Sequence, residues 1–163
     1  MFHELDVFCT WLQNTRFSLV IASVAWMIPV LQTIHILAVA LVISSAFLLH
    51  LRLIGLTRGD QSPDAMARRF LPVIWATLPV LLLTGAILIS AEPARSLENP
   101  SFGLKMLLLL GAIGLTALYQ LKLAGDCRAT GGRSLTVKVV AASSLALWTG
   151  IVLAGRWIAY TQP

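Results

Sequence analysis

The sequence predicts an all-α integral membrane protein, a four-helix bundle preceded by N-terminal amphipathic, interfacial helices. Of its 163 residues, 58% are hydrophobic and only 12% are charged, about half the charged fraction of an ordinary soluble domain. Four apolar stretches are each long enough to cross roughly 30 Å of hydrocarbon as a helix. The linkers between them are short and carry charges and helix breakers. We therefore treat residues 1–163 as a single membrane domain.

The N-terminal segment, about residues 3–28, is predicted to lie on the membrane rather than cross it. In HELDVFCTWLQ, residues 3–13, the apolar side chains share one broad helical face, and the polar ones cluster opposite. This pattern is typical of interfacial helices. The next run, FSLVIASVAWMI, is apolar but too short to span, and Pro29 ends it. We expect a second surface or re-entrant helix there.

The four predicted spans follow in order, at about residues 29–55, 70–90, 102–122 and 135–160. Prolines at two positions inside the second span predict a bend in that helix. In the fourth span, small residues recur at every fourth position, which permits a close helix approach within the protein or between two subunits. The stripe consists of Ala142, Ala146, Gly150 and Ala154.

Basic residues orient the predicted bundle. They are concentrated in the loops that join spans one to two and three to four, and fewer lie at the opposite end. By the positive-inside rule both richer loops are cytoplasmic, so both termini would lie on the outer side. This distribution also accounts for the net charge of +5. Because the sequence has no basic patch interleaved with aromatic residues, nucleic-acid binding is not expected.

A polar layer is predicted near the outer end of the bundle. His35 lies roughly 9 Å below the start of the first span, with Gln32 on the adjacent turn. Lys105 lies about one turn inside the third span, and Arg156 about one turn from the end of the fourth. Inward-facing Lys and Arg side chains suit carboxylates, including haem propionates or an anionic substrate. The alternative is that both snorkel to the lipid headgroups.

Two histidines share a similar face of the first span. His35 and His50 are fifteen residues apart, about 22 Å along a helix and about 60° around it. One metal ion cannot take both, but each can ligate a different haem, as in membrane b-type cytochromes with two haems. For His35 the alternative is a structural hydrogen bond to a neighbouring helix. For His50, which lies beside Arg52 at the cytoplasmic end, the alternative is an ordinary position at the membrane interface.

A bis-histidine haem needs a second imidazole at each level, and the other three spans contain no histidine. Three sources of a second ligand stay open. The site can use Lys105 or a methionine, or His3 can reach inward from the N-terminal helix. A homodimer can also supply His35 from each copy.

Several tracts resemble an uncharacterised bacterial family of four-span integral-membrane proteins of unknown function. They are the W-x-x-P tract at Trp26–Pro29, His35, HLRLIG at 50–55, NPSFGLK at 99–105 and GRWIAY at 155–160. The resemblance covers nearly the whole chain. It implies a four-span architecture and brings no assigned activity.

A more distant pattern is similar to the bacterial membrane protoporphyrinogen oxidase family, which binds haem b, and to the copper-resistance D membrane family. It comprises His35, Arg52, RRFLP at 68–72 and Lys105. In the oxidase family the first-helix histidine and the third-helix lysine are important, which implies roles for His35 and Lys105. The chain departs from that family by its outer amphipathic helices and by Tyr119-Gln120 in span three.

The resulting hypothesis is a haem b-binding protein of the bacterial inner membrane with a redox or electron-transfer role, as an oxidoreductase or its electron-transfer subunit. It would be multi-pass with both termini periplasmic, in contact with the lipid bilayer and with a periplasmic or membrane redox partner. The alternatives are a small transporter or subunit handling copper or an organic anion, and a membrane anchor for a periplasmic partner. His35 is the expected metal ligand, and the candidate cofactor contacts are His35, Lys105, Arg156, Gln32, His50 and Arg52.

Overall fold

The computed structural model describes residues 2–56, 62–97, 99–123, 125 and 134–158, except for the side chains of residues 2–6, 95, 123 and 158. The regular structure in these residues is helical, which confirms the predicted all-α fold. The helices are α1 (Phe2–Gln13), α2 (Arg16–Ser23), α3 (Met27–Ile54), α4 (Pro63–Ala91), α5 (Pro93–Leu97), α6 (Pro100–Leu118) and α7 (Leu135–Ile158), and a π-helical turn, Tyr119–Leu123, continues α6.

Four of the helices are long and apolar enough to cross a membrane: α3, α4, α6 with its π-helical turn, and α7. This is the architecture of a multi-pass membrane protein. The helix that contains the second predicted span begins at Pro63, ahead of the apolar run. The hydroxyl of Ser62 accepts a hydrogen bond from the backbone N–H of Ala65, and Pro63 occupies the first helical turn. This cap stabilises helical backbone well before the apolar run begins.

The spans alternate in direction, so one end of the bundle brings together the starts of α3 and α6 and the ends of α4 and α7. We call this the His35 end, and the opposite end the His50 end. α3 packs on both α4 and α7, and α6 packs on α7. Over the described residues, α4 and α6 do not pack backbone to backbone as the other neighbouring pairs do. The side of the bundle between α4 and α6, which we call the α4–α6 seam, is therefore its wider side.

The apolar core fills the middle of the bundle and the His50 end. One cluster of buried residues lies toward the His50 end: Leu49, Leu53, Ala67, Leu71, Tyr119, Val137 and Ala141. A second lies in the middle: Val42, Ala46, Ile74, Leu78, Ala112, Trp148 and Ile151. Neither cluster reaches the level of His35, so the layer around His35 lies beyond the apolar core.

The small-residue stripe on α7 winds around the helix instead of forming one packing face. A spacing of four residues advances by about 40° per step on an α-helix, or about 120° over the whole stripe. Ala142 and Ala146 are accordingly exposed, while Ala154 is buried. At Gly150, which faces α6, an added Cβ would lie 3.2 Å from Leu108 Cδ1. The stripe thus contributes to the α6–α7 contact only at its later positions.

The two N-terminal helices pack at the His35 end. The side chain of Cys9 is buried, and α1 packs on α5. The hydroxyl of Ser18 in α2 donates a 2.7 Å hydrogen bond to the carbonyl of Ser90 in α4. The apolar side chains predicted to face the membrane stay exposed: Val7, Phe8 and Trp11. These helices therefore keep an apolar surface while the opposite side is fixed to the bundle.

Candidate functional site

His35 lies on the face of α3 that turns into the bundle. This face continues along the helix with the buried residues Ala38, Val42 and Leu49. The imidazole is half-buried, beyond the apolar core, and contacts α4. A helical period of about 3.6 residues therefore places a polar ring at the end of an otherwise apolar stripe.

Thr84 of α4 fixes the tautomer of His35. The threonine Oγ1 lies 2.8 Å from His35 Nδ1 and 2.7 Å from the carbonyl oxygen of Val80. A hydroxyl has one proton to donate, and a carbonyl oxygen can only accept, so the threonine proton goes to Val80. Nδ1 must then donate its own proton to Thr84. In the neutral ring, Nε2 consequently carries the free lone pair.

Gly85 makes room for the imidazole against α4. A Cβ added at Gly85 would lie 3.4 Å from His35 Cε1 and 4.0 Å from Nδ1. An alanine at this position would make an ordinary van der Waals contact with the ring. The pair Thr84-Gly85 supplies both a hydrogen-bond acceptor and space, at one level of α4.

Lys105 of α6 completes the described part of the layer. Its side chain is half-buried and packs on α7, with Nζ 3.9 Å from the position of a Cβ added at Gly155. Lys105 lies five residues into α6 and His35 eight residues into α3, so the two are at a similar depth at the same end of the bundle. The layer therefore combines residues of α3, α4, α6 and α7 at the His35 end, a short distance inside the helix ends.

Two other residues expected in this layer lie at the surface. Gln32, one turn before His35 on α3, is exposed, and so is Arg156 on α7. Arg156 follows Gly155 directly, so it lies at the level of Lys105, with its side chain exposed. The structure thus leaves His35 and Lys105 half-buried at a similar depth and Gln32 and Arg156 on the outside.

His50 belongs to the other end of the bundle, about 22 Å from His35 along α3. Its side chain is only 3% exposed, and Nδ1 donates a 2.5 Å hydrogen bond to the carbonyl of Ala46. The ring is therefore enclosed by the core instead of lying at the interface. Arg52, half-buried, lies two residues further along the helix, about 200° around it from His50. These two residues form no part of the His35 layer.

The second ligand considered for a haem is not identified by geometry. The side chain of His3 lies outside the described residues. Among the positions that are described, no three or more His, Cys, Asp or Glu side chains form a group able to hold a metal ion. His35 Nε2 and the Lys105 ammonium are the groups of this layer whose chemistry suits a ligand.

Sequence reasoning missed the residues that support His35. Thr84 and Gly85 lie seven and six residues before the end of α4, close to the eight residues that separate His35 from the start of α3. These similar distances from the helix ends could have paired Thr84 and Gly85 with His35, because antiparallel neighbouring helices place residues of equal depth side by side. The usual interpretation of a threonine in a span is a bond to its own helix, which conceals the role of Thr84 toward α3.

Comparison with known proteins places the chain in context. A family model, described as a family of unknown function (DUF6644), matches residues 14–161. No curated protein matches the chain, and no solved structure does.

Proposed function

The chain belongs to the DUF6644 family, and since that membership brings no activity, we propose from its own geometry that it is a haem b-binding membrane protein with a redox or electron-transfer role. We place it in the bacterial inner membrane, with the His35 end on the periplasmic side.

The observation that carries the proposal is the orientation of the His35 ring. A histidine that ligates a metal usually donates its other ring N–H to a fixed acceptor, which sets the tautomer and raises the basicity of the ligand. The bond from His35 Nδ1 to Thr84 is of this kind. The arrangement therefore fits a haem iron, which His35 would hold through Nε2.

Lys105 supplies the second feature that suits haem. A half-buried ammonium in this layer is matched by a carboxylate such as a haem propionate, and the deprotonated amine could itself ligate iron. His35 and Lys105 both lie beyond the two apolar clusters of the core, at the end of the bundle where a haem would be held. Bound haem would supply one-electron redox chemistry. The residues of the chain would bind and orient the haem. The apolar core would limit the access of solvent from the His50 end.

The test is a reduced-minus-oxidised visible spectrum of protein purified in mild detergent after expression with ample haem. We expect Soret and α bands in the wild type and their loss in His35→Ala, because Nε2 is the metal ligand. His50→Ala is the matched control, since it removes a histidine from the same helix about 22 Å away, and it should keep the bands. A wild-type protein without these bands would rule out the proposal.

A second candidate function is the binding of a small organic anion in the same layer, as in a transporter. The observation that favours it is the half-buried Lys105 ammonium in the same layer as His35. The ammonium, together with the imidazole once Nε2 is protonated, can present two donors to a carboxylate. Under this alternative, the spectrum shows no haem, and a carboxylate raises the Tm of the wild type. Lys105→Met, which keeps the side-chain length, would then remove that stabilisation.

A further inference from the structure

A groove lies on the outside of the bundle at the His35 end, between α6 and α7. Its cavity volume is about 560 Å³, within the roughly 300–1,000 Å³ typical of small-molecule sites. Most of the lining is apolar, and both helices contribute to it. The α6 side is formed by Ser101, Leu104 and Leu108, and the α7 side by Leu153, Ala154 and Trp157.

Gly150 closes the deep end of the groove. A Cβ at this position would lie 3.2 Å from Leu108 Cδ1, so the absence of a side chain lets α6 and α7 approach each other there. Toward the helix ends the two helices leave the groove between them. The distance from Ser101 to Leu108 is seven residues, about 10 Å along α6.

The groove changes in polarity along this length. Its outer end carries the hydroxyl of Ser101 and the indole of Trp157, an amphipathic ring suited to the level of lipid headgroups. Its deeper part is lined by Leu104, Leu108 and Leu153, which are wholly apolar. A ligand that matches this gradient has a polar head and a hydrocarbon tail.

Two cations flank the groove. Arg156 is exposed beside Trp157 at the outer end, and Lys105 lies on the inner side, packed on Gly155. Basic residues near a membrane surface favour anionic lipids over neutral ones. The charge of the site is thus complementary to a phosphate-bearing head with a net negative charge.

We propose that this groove binds an anionic phospholipid. Its headgroup lies at the Ser101–Trp157 end near Arg156, and one acyl chain follows Leu104 and Leu153 toward Gly150. The residues that line the groove are not those of the His35 layer, and Lys105 alone lies beside both.

Native mass spectrometry tests the proposal on protein transferred from bilayers that contain phosphatidylglycerol and phosphatidylcholine with identical acyl chains. We expect wild-type protein to retain phosphatidylglycerol preferentially. Arg156→Gln should reduce this preference about fivefold, the effect of one basic residue near an anionic surface. Lys138→Gln, a cation removed near the opposite end of α7, should leave it unchanged.

A second pair of variants locates the acyl chain. Leu104→Trp fills the groove, whereas Leu107→Trp adds the same bulk to another exposed leucine of α6 that does not line it. Lipid retention should fall at least fivefold in the first and stay at the wild-type level in the second. Equal retention of both lipids by the wild type, or equal loss in the two tryptophan variants, would overturn the proposal, and so would displacement of the lipid by millimolar inorganic phosphate.

A measurement on the wild type removes any dependence on how well the variants fold. Phosphatidylglycerol with a photoactivatable acyl chain should cross-link mainly to peptides that cover residues 101–108 and 150–157. Cross-links spread evenly over the exposed surfaces of α3 and α4 would contradict the assignment.

Discussion

One hydroxyl proton decides which nitrogen of His35 is available for chemistry. Thr84 uses that proton on the carbonyl of Val80, so it can only accept from the imidazole, and Nδ1 is the donor. Gly85 adds the space that brings the ring against α4. At the scale of single residues, the candidate site therefore consists of a histidine and the two α4 residues that orient it, with Lys105 as the adjacent charge.

Replacing Thr84 by valine tests this arrangement, because it keeps the side-chain shape and removes the acceptor. If His35 Nε2 ligates haem, we expect the affinity for haem to fall about tenfold to a hundredfold, as for other partners of metal-bound histidines. Thr84→Ser, which keeps the hydroxyl, should retain most of it. Titration of haem into protein purified without it gives both values. Equal affinities for Thr84→Val and the wild type would show that the hydrogen bond does not position the ligand.

At the scale of helices, hydroxyl groups are used in two different ways. Ser18 links α2 to α4 through the Ser90 carbonyl, whereas Thr77, Thr84 and Thr116 bond to carbonyls of their own helices. On α7, Ser144 Oγ and Trp148 Nε1 are buried and have no hydrogen-bond partner among the described residues. A buried polar group without a partner costs about 1–3 kcal/mol of folding free energy. The packing of this face of α7 therefore stabilises the protein less than its buried area alone suggests.

This contrast gives opposite expectations for two serine-to-alanine substitutions. Ser144→Ala removes an unpaired buried hydroxyl, so the free energy of unfolding should stay the same or rise by up to about 1 kcal/mol. Ser18→Ala breaks the hydrogen bond to α4 and should lower the free energy of unfolding by about 0.5–1.5 kcal/mol. Unfolding by denaturant in detergent micelles measures both. A loss for Ser144→Ala as large as that for Ser18→Ala would mean that this hydroxyl is paired in the folded protein.

Over the whole molecule, packing is densest in the middle and at the His50 end, and the polar features lie at the His35 end. Both apolar clusters lie below the level of His35. At the other end, the rare π-helical turn brings Gln120 within 2.6 Å of Trp75 Nε1, a hydrogen bond that ties α6 to α4. Turns of this kind often occur at sites with a particular structural or functional role. The Trp75–Gln120 bond thus fastens the α4–α6 seam at a level well away from His35.

The orientation of this asymmetric bundle is a prediction of the basic-residue distribution. Fusions of alkaline phosphatase after residue 163 should be active, and green fluorescent protein at that site should be dark, because the C-terminus is expected outside. Fusions after residues 60 and 130 should show the reverse. The opposite pattern would put the His35 end in the cytoplasm and exclude a periplasmic redox partner.

The sequence alone determined the fold class. A helical membrane protein needs long apolar helices, and long apolar stretches can be recognised directly in the sequence. It also indicated that His35 and Lys105 share a level, since depth follows from position along a helix. The sequence did not determine which faces of different helices meet. Whether Arg156 faces inward, or Thr84 meets His35, depends on how each helix is rotated against its neighbours. Only packing fixes that rotation, and it brings Thr84 to the imidazole, encloses His50 in the core and leaves Gln32 and Arg156 at the surface.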